Sequence, residues 1–123
     1  MYQISVERHF DAAHSLRGYR GKCEALHGHR FKVVVKVKSS AVDNIGIAYD
    51  FTELKQHLEA ILARFDHTCL NDVAPFDRIN PSSENLAATI YDELRLRLAG
   101  APVSLSSVEV WESPESGVAY SPD

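Results

Sequence analysis

Cys23-Glu24-Ala25-Leu26-His27-Gly28-His29-Arg30 runs without a break into Phe31-Lys32-Val33-Val34-Val35-Lys36-Val37-Lys38. The second half alternates. Phe31, Val33, Val35 and Val37 share one parity, and Lys32, Val34, Lys36 and Lys38 the other, the pattern of a strand with one covered face. Successive side chains of a strand point to opposite faces, so His27 and His29 join the apolar set with only Gly28 between them. The pair therefore lies on the side the core covers, where water is restricted. A third imidazole can arrive from His14, and three neutral nitrogens around an open fourth position are what a catalytic zinc site needs. Gly28 leaves room for a ligand to approach. Cys23 is a candidate base or nucleophile, because a thiol held beside a divalent cation ionises more easily. Two other readings stay open at this point: structural zinc with Cys23 as fourth ligand, and an iron or manganese site, which normally adds a carboxylate.

Upstream, Tyr2 to Phe10 also alternates, with Ile4, Val6 and Phe10 on one parity; carried forward, that parity reaches Ala12 and His14. The glycine-punctuated segment Arg17 to Lys22 reads as a loop whose three cations either receive a phosphorylated substrate or form a solvated turn. The face carrying Lys32, Lys36 and Lys38 is ordinarily solvent. It can also line a water-filled channel, opposite acids such as Glu7 and Glu109, if copies of the sheet close into a barrel.

Downstream, Ser39 to Ile47 is a connection with turn chemistry at Asp43-Asn44. A helix follows, with Asp50 as N-cap, Glu53 at the third helical position and a buried stripe of Phe51, Leu54, Leu58, Ile61, Leu62 and Phe65. It runs out at Asp66-His67. Adjacent residues on a regular helix diverge by about 100°, so this pair cooperates only where the helix has ended. A carboxylate that orients an imidazole, which in turn reaches a thiol, is the logic of an activated nucleophile or base; the bland alternative is a polar helix end with His favouring the dipole. Asn80-Pro81-Ser82-Ser83-Glu84-Asn85 opens a second helix with a polar N-cap and Pro near the first helical position, and Leu86, Ile90, Leu94 and Leu98 form its core face as far as Gly100 and Pro102. A third strand from about Leu105 to Glu112 ends its buried row of Val108 and Val110 in the Glu112 carboxylate, and a last short strand covers Val118 to Tyr120.

The 123 residues, 45% of them hydrophobic, suit a single domain spanning 1–123. A formal net charge of -4, with Lys and Arg scattered, leaves no basic stripe for a nucleic-acid partner. No apolar run approaches the ~20 residues of a membrane span, no signal peptide is recognisable, and two cysteines make no disulfide framework, so the expectation is a cytoplasmic protein. The order strand, strand, helix, helix, strand, strand predicts an α+β domain: an antiparallel four-stranded sheet with both helices on one face, whose free edges invite closure between subunits.

The runs F-D-A-A-H ending at His14, C-E-A-L-H-G-H ending at His29, D-F-T-E-L-K from Asp50, D-H-T-C-L-N from Asp66, N-P-S-S-E-N from Asn80 and V-W-E-S from Val110 together resemble the 6-pyruvoyl-tetrahydropterin synthase family. The likeness covers nearly the whole chain, in order, and is closest to the bacterial queuosine-pathway branch that forms 6-carboxy-5,6,7,8-tetrahydropterin. Ser82-Ser83 stand where Thr is common, and Tyr49 replaces a usual aliphatic. The resemblance implies zinc held by His14, His27 and His29, a catalytic set of Cys23, Asp66 and His67, and Glu112 as the anchor of the pterin. Ser83 and Glu84 are further candidate pterin contacts, although helix capping accounts for them. It also implies the tunnelling fold, a homohexamer built as a dimer of trimers with active sites between subunits, a pterin triphosphate substrate, a channel lined by the lysine face, and Asp66-His67 meeting Cys23 of a neighbouring subunit. A folate-feeding branch typically carries Glu where this chain has Cys23. The pyruvoyl-forming activity and a non-catalytic zinc-stabilised module are the competing readings.

Overall fold

The alternation centred on Phe31 builds β2, His27–Ser39, and the matching alternation near the N-terminus builds β1, Tyr2–His14. The computed structural model describes residues 1–21 and 24–123; Cys23, with the thiol role read for it, lies outside the described residues. The two strands are antiparallel and in continuous register, from Tyr2 opposite Ser39 to His14 opposite His27. Parity is thus preserved over the whole pair, and one face collects Ile4, Val6, Phe10, Phe31, Val33, Val35 and Val37, all buried.

Beyond β2 come α1, Phe51–Leu62, a two-residue strand β3, Thr68–Cys69, then α2, Ser83–Arg97, and the hairpin of β4, Ser104–Ser113, and β5, Ser116–Tyr120. The sheet order is β3-β1-β2-β4-β5. The α+β class stands, but the expected four strands become five, because β3 pairs in parallel with the end of β1 at Ala12 and Ala13. A strand of two residues is too short to show a period.

Both helices cover the same face. Leu54, Leu58, Ile61 and Leu62 of α1 and Leu86, Ala87, Ile90, Tyr91 and Leu94 of α2 close over a core where Phe10 and Phe31 stack at 4.9 Å, with Phe65 and Phe76 alongside. Asp50 caps α1 as expected, its carboxylate accepting from Thr52 N at 2.8 Å. Two boundaries differ from the expectation. The first helix ends at Leu62 and tightens into a turn, with Asp66 N donating to Leu62 O; this keeps Phe65 inside while leaving Phe51, in the first helical position, 58% exposed. The second begins two residues later than a proline at its first position suggested: Ser82 is the N-cap, accepting from Asn85 N at 3.1 Å, and Pro81 precedes it.

On the open face, Glu109 is engaged within the chain. It already bonds Lys36 at 3.0 Å and accepts from the Trp111 indole at 2.9 Å, which holds its carboxyl below the usual range, chiefly through the indole bond. Among the described residues no helix is long and apolar enough to cross a membrane.

Candidate active site

Register places the three imidazoles. His14 and His27 are cross-strand partners at the far end of the β1–β2 pair, and His29 follows two residues on, opposite Ala12. The rings meet edge-on with centroids 4.6, 5.2 and 4.7 Å apart, and Phe31 underlies His14 and His29 at 5.4 Å each. One nitrogen from each ring lies within 4.8 Å of the others.

Tautomers follow from the partners. His14 Nδ1 is 2.7 Å from Pro81 O, and His27 Nδ1 is 2.7 Å from Ala25 O. A carbonyl only accepts, so each Nδ1 carries the proton and each neutral ring presents a bare lone pair at Nε2. Those two Nε2 atoms face each other at 3.0 Å, acceptor to acceptor. A proton could bridge them, but burial pushes the pKa of His14 below 6.5, and the neighbouring imidazoles push the same way against the Pro81 bond. Burial likewise lowers His29, whose Nε2 is buried without a hydrogen-bond partner. Two lone pairs backed by backbone carbonyls, with the unpartnered His29 Nε2 beside them, fit a divalent cation: tetrahedral ligands at ~2.0–2.1 Å stand roughly 3.3 Å from one another.

Glu112 adds a carboxylate to this group, its Oε2 3.5 Å from His29 Nε2 and 3.9 Å from His14 Nε2. It also borders a cleft of about 560 Å³ with His29, Gly28, Arg30, Lys32 and Trp111. The cleft opens where β4 stops pairing with β2, the last pair being Lys32 with Trp111. A Cβ on Gly28 would meet only the Ala12 carbonyl, at 3.6 Å, so this wall is open as the sequence suggested.

Asp66 and His67 form a second cluster, at the outer edge of β1. The helix has ended, His67 takes a left-handed conformation with φ 60°, and its Nδ1 lies 3.0 Å from Asp66 Oδ1. Main-chain bonds to Asp11 fix the pair: His67 N donates to Asp11 O at 2.6 Å, and Asp11 N donates to Asp66 Oδ1 at 2.9 Å. The Asp11 bond is the main reason that the Asp66 carboxyl is held below its usual range. Among the described residues no hydrogen bond or ion pair joins this cluster to the three imidazoles.

The remaining candidates fall into lesser places. Ser83 starts α2 half-buried and Glu84 is exposed in its first turn, while the cap itself is Ser82. Arg17, one of the cations read as a phosphate receiver, donates to three carbonyls, those of Phe76 at 2.9 Å, Ile79 at 3.3 Å and Asn71 at 3.4 Å. It braces a loop. Residue-type reasoning missed Pro81, Ala25 and Asp11, because each acts through its main chain and any residue could supply the same atoms.

A family model described as 6-pyruvoyl tetrahydropterin synthase matches residues 3–123, and the chain belongs to that family. It is similar to a 6-carboxy-5,6,7,8-tetrahydropterin synthase of Synechocystis, 39% identical over 125 residues that span 98% of this chain and 93% of the relative. A dihydroneopterin monophosphate aldolase of Pyrococcus furiosus is 35% identical over 116 residues, 94% of each chain. The solved 6-pyruvoyl tetrahydropterin synthase of Caenorhabditis elegans superposes with a TM-score of 0.83 at 29% identity, covering 100% of this chain and 98% of that one. The architecture is therefore the tunnelling fold.

Proposed function

We propose that the chain is a zinc-dependent synthase that converts 7,8-dihydroneopterin triphosphate and water to 6-carboxy-5,6,7,8-tetrahydropterin, acetaldehyde and triphosphate, an early step toward queuosine. The observation that carries this reading is the facing pair of Nε2 lone pairs of His14 and His27, with the orphan Nε2 of His29 beside them and His29 itself lining a cleft. His14, His27 and His29 would hold the metal. Zinc bound there supplies Lewis acidity toward the oxygens of the substrate's side chain, lowering the pKa of the adjacent C–H.

The chain's own groups do the rest. Cys23 as thiolate takes a proton from the side-chain carbon. His67 relays protons at the same bond, with Asp66 fixing its tautomer; positioned acids and bases of this kind contribute about 10²–10⁴-fold each. Because no hydrogen bond or ion pair joins Asp66-His67 to the imidazoles among the described residues, the pair serves, in this reading, a site shared with a neighbouring subunit of a hexamer. Glu112 borders both the imidazoles and the cleft, and its carboxylate suits the two-donor edge of a pterin, an exocyclic amine beside a ring N–H. Ser83 and Glu84 are secondary contacts at most.

The similarity to the Caenorhabditis elegans enzyme favours a second reading, elimination of triphosphate to the pyruvoyl product. One assay separates them. Incubation with dihydroneopterin triphosphate, followed by coupled detection of acetaldehyde, yields one acetaldehyde per triphosphate on the first reading. Triphosphate without acetaldehyde supports the second, and release of neither refutes both.

A further inference from the structure

The N-P-S-S-E-N run does more than start a helix. Its first residue, Asn80, reaches across 63 positions of sequence to the chain just past β1: Arg17 N donates to Asn80 Oδ1 at 2.9 Å, and Asn80 Nδ2 donates to Arg17 O at 2.9 Å. The side-chain amide thus copies the reciprocal pairing of an antiparallel strand partner. From the other side, Asn85 Nδ2 donates to Asn80 O at 2.9 Å while Asn85 N donates to Ser82 Oγ at 3.1 Å. The peptide between these anchors is Pro81, whose carbonyl accepts from His14 Nδ1.

We propose that Asn80 is a positioning residue for the metal centre: by clamping the chain after β1 to the start of α2, it aims the Pro81 carbonyl that fixes the tautomer and the direction of His14. The inference rests on the reading that the imidazoles hold a metal, and not on which pterin is the substrate. A proline has no N–H and a ring-locked φ, so the direction of the Pro81 carbonyl depends on how its neighbour Asn80 is held. Arg17 holds the Asn80 side chain and Asn85 holds its carbonyl. Groups that orient a ligating imidazole in this way typically change metal affinity by about 10–100-fold when removed.

The full-length chain, loaded with zinc and titrated against a chromophoric chelator, tests this. Asn80→Ala is expected to bind zinc about 10–100-fold more weakly than the unaltered chain. Asn80→Asp, which keeps the acceptor for Arg17 N and loses the donor, should fall between them, and it supplies the reading if the alanine variant does not fold. Leu58→Ala, a core truncation in α1, lowers the melting temperature yet should leave zinc affinity unchanged. Any synthase activity of Asn80→Ala should return on adding excess zinc. The proposal is overturned if both Asn80 variants hold zinc as tightly as the unaltered chain, if Leu58→Ala weakens zinc to the same degree, or if the unaltered chain binds no zinc. Absence of acetaldehyde with normal zinc binding would instead sink the synthase reading alone.

Discussion

Protonation at single residues gives the first consequence of the imidazole geometry. Burial lowers the pKa of His14 and His29 in the folded chain, so on acidification an unfolded chain binds protons first, near 6.5. Stability present above that pH is then lost as the pH falls toward the folded values. Metal-free protein should accordingly show a lower urea midpoint at pH 5.5 than at pH 7.5; a midpoint that holds or rises in acid contradicts the burial of His14 and His29 as neutral rings. At Glu112, replacement by Gln keeps the shape of the side chain but removes the charge that a two-donor pterin edge seeks. The variant should raise KM by at least tenfold with a smaller change in kcat, measured on dihydroneopterin triphosphate, and an unchanged KM removes the anchor role. Much of this scale was legible in the sequence, because His-x-His spacing and strand parity are properties of side chains. The carbonyls of Pro81, Ala25 and Asp11 were not, since every residue owns one and only the fold decides where it points.

Among the elements, β3 matters most for its size. Two residues pair with Ala12 and Ala13, and in doing so they carry Asp66-His67 from the end of α1 to the edge of the strand that bears His14. Periodicity cannot announce so short an element; tertiary pairing makes it. The long strands and the two helices, in contrast, were readable from their alternation and stripes, with errors confined to ends where capping competes: Ser82 took the cap that the position of Pro81 had suggested for Asn80. Ser82→Ala should destabilise α2 by about 1 kcal/mol, read from denaturant unfolding. Phe31, stacked on Phe10 and lying under His14 and His29, ties the core to the site. Phe31→Ala should cost about 3–5 kcal/mol in the same measurement and weaken zinc retention with it, whereas a loss under 1 kcal/mol would mean that the stack is not central to the core.

At the scale of the whole molecule, the outer edge of β1 from Tyr2 to Asp11 carries no partner strand among the described residues, and β5 ends the sheet on the other side. Exposed edges of this length are normally covered or paired. Together with the lack of any hydrogen bond or ion pair between Asp66-His67 and the imidazoles among the described residues, this supports sites completed between subunits. Co-expressed Cys23→Ala and His67→Ala chains, each inactive alone, should regain part of the activity when mixed in one assembly, because some sites then draw both intact groups from different chains. No recovery in confirmed mixed oligomers would place all catalytic groups within one chain. No alternation or spacing in a single chain encodes that division, which explains why it was not legible from local pattern.

Metal content is the most direct test of the central claim, that three imidazoles and no thiol hold one cation. Elemental analysis of the purified chain should find one zinc per chain, retained in Cys23→Ala and lost in His14→Ala, His27→Ala and His29→Ala. Zinc that survives the loss of His29, or departs with Cys23, contradicts the account.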